Sequence, residues 1–203
     1  MSDFDSKAGT WDENPMHLER SKAVALKMQE TISLNREMKA LEYGAGTGIL
    51  SFLLSQDLGH ITMMDNSVEM VKVMERKVRD RNASNLLPVC LNLETEHTNA
   101  RYKLIFNQMV LHHIVDLQAI FEKFHGMLLP EGYLAIADLY PEDGSFHGDG
   151  FDVHLGFDPE KLKQQLLNIG FRKVNYEQCY QVERVNADGS RKSYPIFLLT
   201  ASK

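Results

Sequence analysis

The sequence has little cysteine, no excess of basic charge and no long apolar run. Only two cysteines, Cys90 and Cys179, occur in 203 residues, and they share no short spacing. Two such thiols argue against a disulfide framework or a cysteine-based zinc site and suit a reducing compartment. Lysine and arginine number 22 against 28 aspartates and glutamates, a formal net charge of −6. A nucleic-acid binder normally carries a basic face, so no nucleic-acid partner is expected. No stretch approaches the roughly 20 apolar residues of a spanning helix, so no membrane partner is expected either. The stretch MSDFDSKAGTWDENP is polar and acidic, without the apolar core of a secretory signal. The expectation is a soluble, cytoplasmic protein. Thirteen glycines and six prolines are too few for a collagenous or low-complexity chain.

What is present is an alternation of helix-like and strand-like segments. Residues 16–34 carry Ala25, Met28 and Ile32 on one helical face. Ala40–Tyr43, His60–Met64, Leu86–Leu91, Tyr102–Phe106 and Tyr133–Ala137 are short apolar runs of strand type. Between them lie helical patterns: Ile49–Ser55; a helix after Asn66, read as its N-cap with Glu69 completing a capping box; and a helix capped by Asp116, with Leu117, Ile120, Phe121, Phe124 and Leu128 in phase. Pro130-Glu131-Gly132 reads as a turn. Asp158-Pro159 opens a last helix and Gly170 closes it. Two strands, 171–183 and 193–201, join through Asn186-Ala187-Asp188-Gly189, a hairpin signal. Five such alternations predict an α/β fold: a doubly wound, mostly parallel sheet of seven strands, helices on both faces, and an antiparallel strand from the C-terminal hairpin. No linker, repeat or composition shift divides the chain, so residues 1–203 are expected to form one domain.

The sharpest motif is Glu42-Tyr43-Gly44-Ala45-Gly46-Thr47-Gly48, between a strand and a helix. Glycines there let backbone approach a ligand, and the helix start offers free N–H groups to an anion. Asp65 follows 21 residues after Gly44, where the second strand ends. A carboxylate at that point accepts hydrogen bonds from both hydroxyls of a ribose. A flexible turn and a strand-ending acid are the bland alternative; the strand before, the helix after and the spacing of the acid weigh against it. The dinucleotide fingerprint is G-x-G-x-x-G, whereas here the third glycine comes one residue early and position 49 is Ile. Glu42 suits a ligand with an ammonium group better than a pyrophosphate, and S-adenosylmethionine has such a group.

At this point Glu42-x-Gly44-x-Gly46-x-Gly48 resembles motif I of the class I S-adenosylmethionine-dependent methyltransferases. His60–Asp65 resembles their second motif, Leu104–Ile114 their fourth-strand segment and Leu128–Asp138 their fifth. The nearest subgroup is similar to the small-molecule methyltransferases of quinone biosynthesis. The resemblance implies a Rossmann-like fold, S-adenosyl-L-methionine as cofactor and a small-molecule methyl acceptor as partner. It implies that Glu42 reaches the methionine amino group, that Tyr43, Gly44, Ala45, Gly46 and Gly48 line the methionine and ribose, and that Asp65 holds the ribose. Asn66 and Met70 would flank the adenine, with Asn92, Leu93 and Glu94 after the third strand. Asn107, Gln108 and Met109 would lie beneath the sulfonium. The departures from the pattern are Asn92 where an acid is common, Lys103 before the fourth strand and Glu131 in place of a turn glycine. The implied division is an N-terminal lid and helix over 1–39, a cofactor core over 40–138, a substrate-side loop over 139–157 and a C-terminal helix and hairpin over 158–203.

Methyl transfer from a sulfonium needs alignment and exclusion of water, and a base only when the acceptor is a hydroxyl or acidic carbon. His112 and His113 are the candidate bases; helix capping is their structural alternative. Trp11, Tyr140, Phe146, His147 and His154 are candidates for the acceptor wall. No standard metal-ligand spacing occurs around His147 and His154. Two other readings stand beside the leading one: a nicotinamide-dependent oxidoreductase, and a non-catalytic protein that keeps the cofactor pocket.

Overall fold

The computed structural model describes residues 4–146, 154–185 and 189–203. Seven strands form one sheet in the order β3-β2-β1-β4-β5-β7-β6. They are β1 (Lys39–Tyr43), β2 (His60–Asp65), β3 (Leu86–Cys90), β4 (Tyr102–Gln108), β5 (Leu128–Leu139), β6 (Arg172–Val185) and β7 (Arg191–Ser202). β1 to β5 pair in parallel, while β7 runs antiparallel to both β5 and β6. β1 lies between β2 and β4, so successive connections leave it in opposite directions. That switch point opens a crevice at the carboxyl ends of the strands.

The helices are α1 (Pro15–Thr31), α2 (Ile49–Leu54), α3 (Val68–Arg81), α4 (Leu117–Met127) and α5 (Pro159–Ile169). Alternation along the strands divides the core into two faces. Ala40, Leu104 and Phe106 meet Val24, Met28, Leu50 and Met74 of α1, α2 and α3. Leu41, Tyr43 and Ile105 meet Ile120, Phe121, Phe124 and Leu166 of α4 and α5. Each fully buried Leu or Phe contributes roughly 1.5–3 kcal/mol. The sheet is therefore apolar on both sides, which is why its central strands read as unbroken hydrophobic runs.

Several local expectations change. The N-cap of α3 is Ser67, not Asn66: its side chain accepts from the Met70 amide at 3.2 Å, while its own N–H donates to Asp65 Oδ1 at 2.9 Å. Pro130-Glu131-Gly132 is absorbed into β5. Glu131 has φ 56, a left-handed conformation that explains why a glycine is expected there. β4 extends two residues past Phe106, and this directs Asn107 and Gln108 to opposite faces. α1 ends at Thr31, because Ile32 is extended. Of the hairpin residues, 186–188 lie outside the described residues. Among the described residues, no helix is long and apolar enough to cross a membrane.

Candidate active site

A cavity of about 550 Å³ opens at the switch point, within the range of small-molecule sites. Its floor begins with the turn after β1. Gly44, Gly46 and Gly48 all have positive φ, at 68°, 57° and 80°. A Cβ on Gly44 would stand 2.4 Å from Val110, so only glycine lets the turn lie against the segment after β4. A Cβ on Gly46 would meet nothing nearer than Trp11 Nε1 at 3.8 Å; that space belongs to the cavity.

Glu42, one residue before the end of β1, faces α2. Its carboxylate accepts the Ser51 amide at 3.1 Å and the Ser51 hydroxyl. No cation pairs with it among the described residues, and burial pushes its pKa up to about 8. Asp65 accepts from the Gly46 amide at 2.7 Å and from Ser67. Burial raises its pKa, partly offset by these backbone donors. A buried acid without a counter-ion, a second acid at the next strand end and an uncrowded glycine between them fit the ammonium, ribose and sulfonium of S-adenosylmethionine.

The segment before α1 roofs this end. A 3-10 stretch, Asp5–Glu13, lies across α3 and the glycine turn. Asp12 accepts from Thr47 Oγ1 at 2.5 Å and from Lys77 Nζ at 2.7 Å. Asp5 accepts from Ser67 Oγ at 2.5 Å. Trp11 lines the cavity, its carbonyl 2.9 Å from His17 Nδ1 and its ring 4.3 Å from that imidazole. Burial lowers the His17 pKa.

Beyond β4, His112 and His113 sit in a short 3-10 turn and both line the cavity. His112 is buried, its Nδ1 2.7 Å from Asp138 Oδ1. Asp138 is fully buried at the end of β5 and also accepts the Leu111 and Leu139 amides, at 3.1 and 2.8 Å. An ionised Asp138 requires Nδ1 to donate, which leaves Nε2 as the basic nitrogen of the ring.

Most of the residues singled out in the sequence meet here. Glu42, Tyr43, Gly44, Ala45, Gly46, Asp65, Asn66, Met70, Asn92, Glu94, Gln108, Met109, Trp11 and Phe146 all line the cavity. Five do not, among the described residues. Gly48 turns away to cap α2, where a Cβ would meet Met63 Sδ at 2.9 Å. Leu93 is core, with Asn92 and Glu94 flanking it on the cavity side. Asn107 faces the other side of the sheet from Gln108, as strand alternation demands, and neither of its amide atoms has a partner. Tyr140 stacks edge-on against Phe197 at 5.4 Å. His154 is held at 2.9 Å from the Ile114 carbonyl. His147 lies outside the described residues. Reading the sequence missed Arg20 and Arg184, both on the cavity wall. A signal for Arg20 exists: it stands four residues before Val24 and eight before Met28, a charge on the apolar stripe of α1.

Sheet order, glycine turn and paired acids define a class I fold built for S-adenosylmethionine. The profile of the methyltransferase domain family matches residues 34–191, and the chain belongs to that family. An uncharacterized methyltransferase of Schizosaccharomyces pombe is 30% identical over 168 residues, 74% of this chain and 57% of that protein. The ubiquinone/menaquinone biosynthesis C-methyltransferase UbiE of Shewanella halifaxensis is 27% identical over 171 residues, 68% of each. The chain thus spans between a little over half and two thirds of these relatives. In fold it is similar to the solved complex of DhpI with SAH, with a TM-score of 0.74, 18% identity, and coverage of 98% of this chain and 92% of that one. Family membership sets aside the nicotinamide alternative.

Proposed function

We propose that this chain transfers a methyl group from S-adenosylmethionine to a small-molecule acceptor, and that His112 removes the acceptor's proton. When bound, the cofactor supplies a methyl group on a positively charged sulfur, already activated toward a nucleophile. Glu42 holds the ammonium end, Gly44 and Gly46 present backbone to the ligand, and Asp65 takes the ribose hydroxyls. The 5–13 roof excludes water, which strengthens every electrostatic contact beneath it. Asp138 orients His112 and stabilises the imidazolium that forms when Nε2 accepts the proton from a hydroxyl or acidic carbon.

The observation that carries this reading is one cavity lined by the glycine turn, both acids and His112, whose ring is held from behind by Asp138. The first test is calorimetric titration with S-adenosylmethionine and S-adenosylhomocysteine. Both should bind; no heat from either at millimolar concentration overturns the proposal. With an acceptor in hand, His112→Gln should lower kcat by about 10²–10⁴-fold, the scale of a lost general base, with S-adenosylhomocysteine affinity unchanged. Unaltered turnover would leave alignment alone as the mechanism.

A further inference from the structure

Asp65 ends β2 and pairs in register with Cys90 at the end of β3. The Leu91 amide then donates to the Asp65 carbonyl at 3.0 Å. The loop that follows therefore runs beside the acid assigned to the ribose, and Leu91, Asn92 and Glu94 line the cavity there. A nucleoside whose sugar is held by Asp65 places its base against this loop.

The loop is fixed from within and from outside. Asn92 Oδ1 accepts the Glu94 amide at 2.9 Å, and the Glu96 carboxylate accepts the Asn92 amide at 2.8 Å, the local bonding that short polar side chains favour in turns. Leu93 is buried in the core with Ile120 and Phe124 of α4. From the same helix, Lys123 Nζ donates to the Leu93 carbonyl and, at 3.2 Å, to the Glu94 carbonyl. One ammonium has several donors and no acceptor, so it can hold two successive carbonyls at once. That sets the peptide plane between them, and with it the direction in which the Glu94 side chain leaves the main chain.

Glu94 makes these bonds with its main chain alone, which leaves its carboxylate to accept from a ligand. Its charge is felt inside the cavity: burial first, then Glu94 and Asp65, push the pKa of the cavity-lining Tyr43 up. Asn92 stands where the family pattern has an acid, and its Oδ1 is already committed to the Glu94 amide. The loop supplies its acid two residues later instead.

We infer that Lys123 is a positioning residue for base selection, holding Glu94 where its carboxylate accepts from the exocyclic amino group of an adenine. A charged acceptor facing an amino group makes one of the stronger hydrogen bonds and favours the base that carries it. The inference deepens the methyltransferase reading and rests on it for the identity of the nucleoside.

The test titrates the whole chain with S-adenosylhomocysteine and with its purine analogue, in which hydrogen replaces the 6-amino group. The wild type should prefer the amino ligand about tenfold, the scale of one hydrogen bond to a charged group. Glu94→Ala should bring that ratio near one. Lys123→Met should lower it about threefold or more, as the same bond loses its alignment, and Lys123→Arg, which can still donate to both carbonyls, should restore it. A merely structural lysine would weaken both ligands in parallel and leave the ratio intact. A wild-type ratio near one, a ratio that survives Glu94→Ala, or a ratio unchanged in Lys123→Met overturns the inference. Should Lys123→Met fail to fold by circular dichroism, Lys123→Gln takes its place with the same expectation. Adenosine and purine riboside are titrated alongside. If neither homocysteine ligand binds while adenosine keeps a Glu94-dependent advantage over purine riboside, the methyltransferase reading falls and the base site stands. If none of the four binds, both fall.

Discussion

The cofactor end of the cavity draws Glu42, Gly44, Gly46, Asp65 and Met70 from a single run of the chain, residues 42–70. The rest of the lining comes from distant parts of the chain: Arg20 from α1, His112 from the turn after β4, backed by Asp138 of β5, and Arg184 from β6. In the first group the lining is built from backbone: two glycines in left-handed conformations and two acids that accept from neighbouring amides. In the second it is built from side chains that meet only when the sheet is complete. A fold can keep the first group and exchange the second, which is how one cofactor serves many acceptors.

The comparison breaks most visibly at Gly46. Gly46→Leu adds a side chain into the cavity at φ +57, a conformation that costs a branched residue roughly 1–2 kcal/mol before any clash. Calorimetry should detect no S-adenosylhomocysteine binding, with the circular dichroism spectrum retained. Next comes Asp65→Ala, expected to weaken S-adenosylhomocysteine by about 1–3 kcal/mol, the scale of hydrogen bonds to a charged group. His112→Gln in the same titration should leave that affinity alone. Equal losses in the two variants would erase the division between the groups.

Titration of Glu42 sharpens the first group. Its folded pKa of about 8 lies above the ordinary 4.5, with burial the main cause. The protonated form is thus favoured in the fold. Its contribution to stability is complete below the ordinary value and is lost as pH climbs through about 8. Glu42→Gln should flatten that stretch of the stability–pH curve in urea denaturation. An ammonium ligand needs the ionised form, so S-adenosylhomocysteine affinity should rise by up to about tenfold per pH unit below that value and then level off. Proton release on binding, measured in buffers of different ionisation enthalpy, checks the sign.

The smallest effect belongs to the roof. Asp12→Ala removes the contacts to Thr47 and Lys77. Both Asp12 contacts are partly exposed, so the loss should be about 1 kcal/mol or less. It should appear chiefly as faster release of S-adenosylhomocysteine, followed by stopped-flow fluorescence of Trp11, the one tryptophan in the chain.

Much of the molecule was legible residue by residue. Asp116, Asp158 and Gly170 marked helix ends because capping is a local hydrogen-bond event, and each does cap: Asp116 accepts from Ala119, Asp158 from Glu160, and Gly170 adopts a left-handed φ of 116°. The glycine turn and Asp65 were legible for the same reason. Asn66 against Ser67 shows the limit, since two adjacent residues of capping type differ only in which side chain the preceding Asp65 leaves facing the helix. Gly48, Leu93 and Asn107 sit inside correctly located motifs yet face away from the cavity, and direction follows from strand alternation and helix phase. Tyr140 and His154 were joined to the site by nearness in sequence to Phe146, whereas packing directs them to Phe197 and Ile114.

The sequence by itself determined the sheet-and-helix alternation, the glycine turn and the two acids beside it, because each depends on spacings shorter than one strand-helix unit. Only the tertiary structure decided that Arg20 and Arg184, 164 positions apart, share one wall, and that Asp138 stands behind His112. No local pattern links such residues. Their meeting depends on strand order β4-β5-β7-β6 and on α1 lying against β6, which brings a buried Arg20 and a half-buried Arg184 to one cavity.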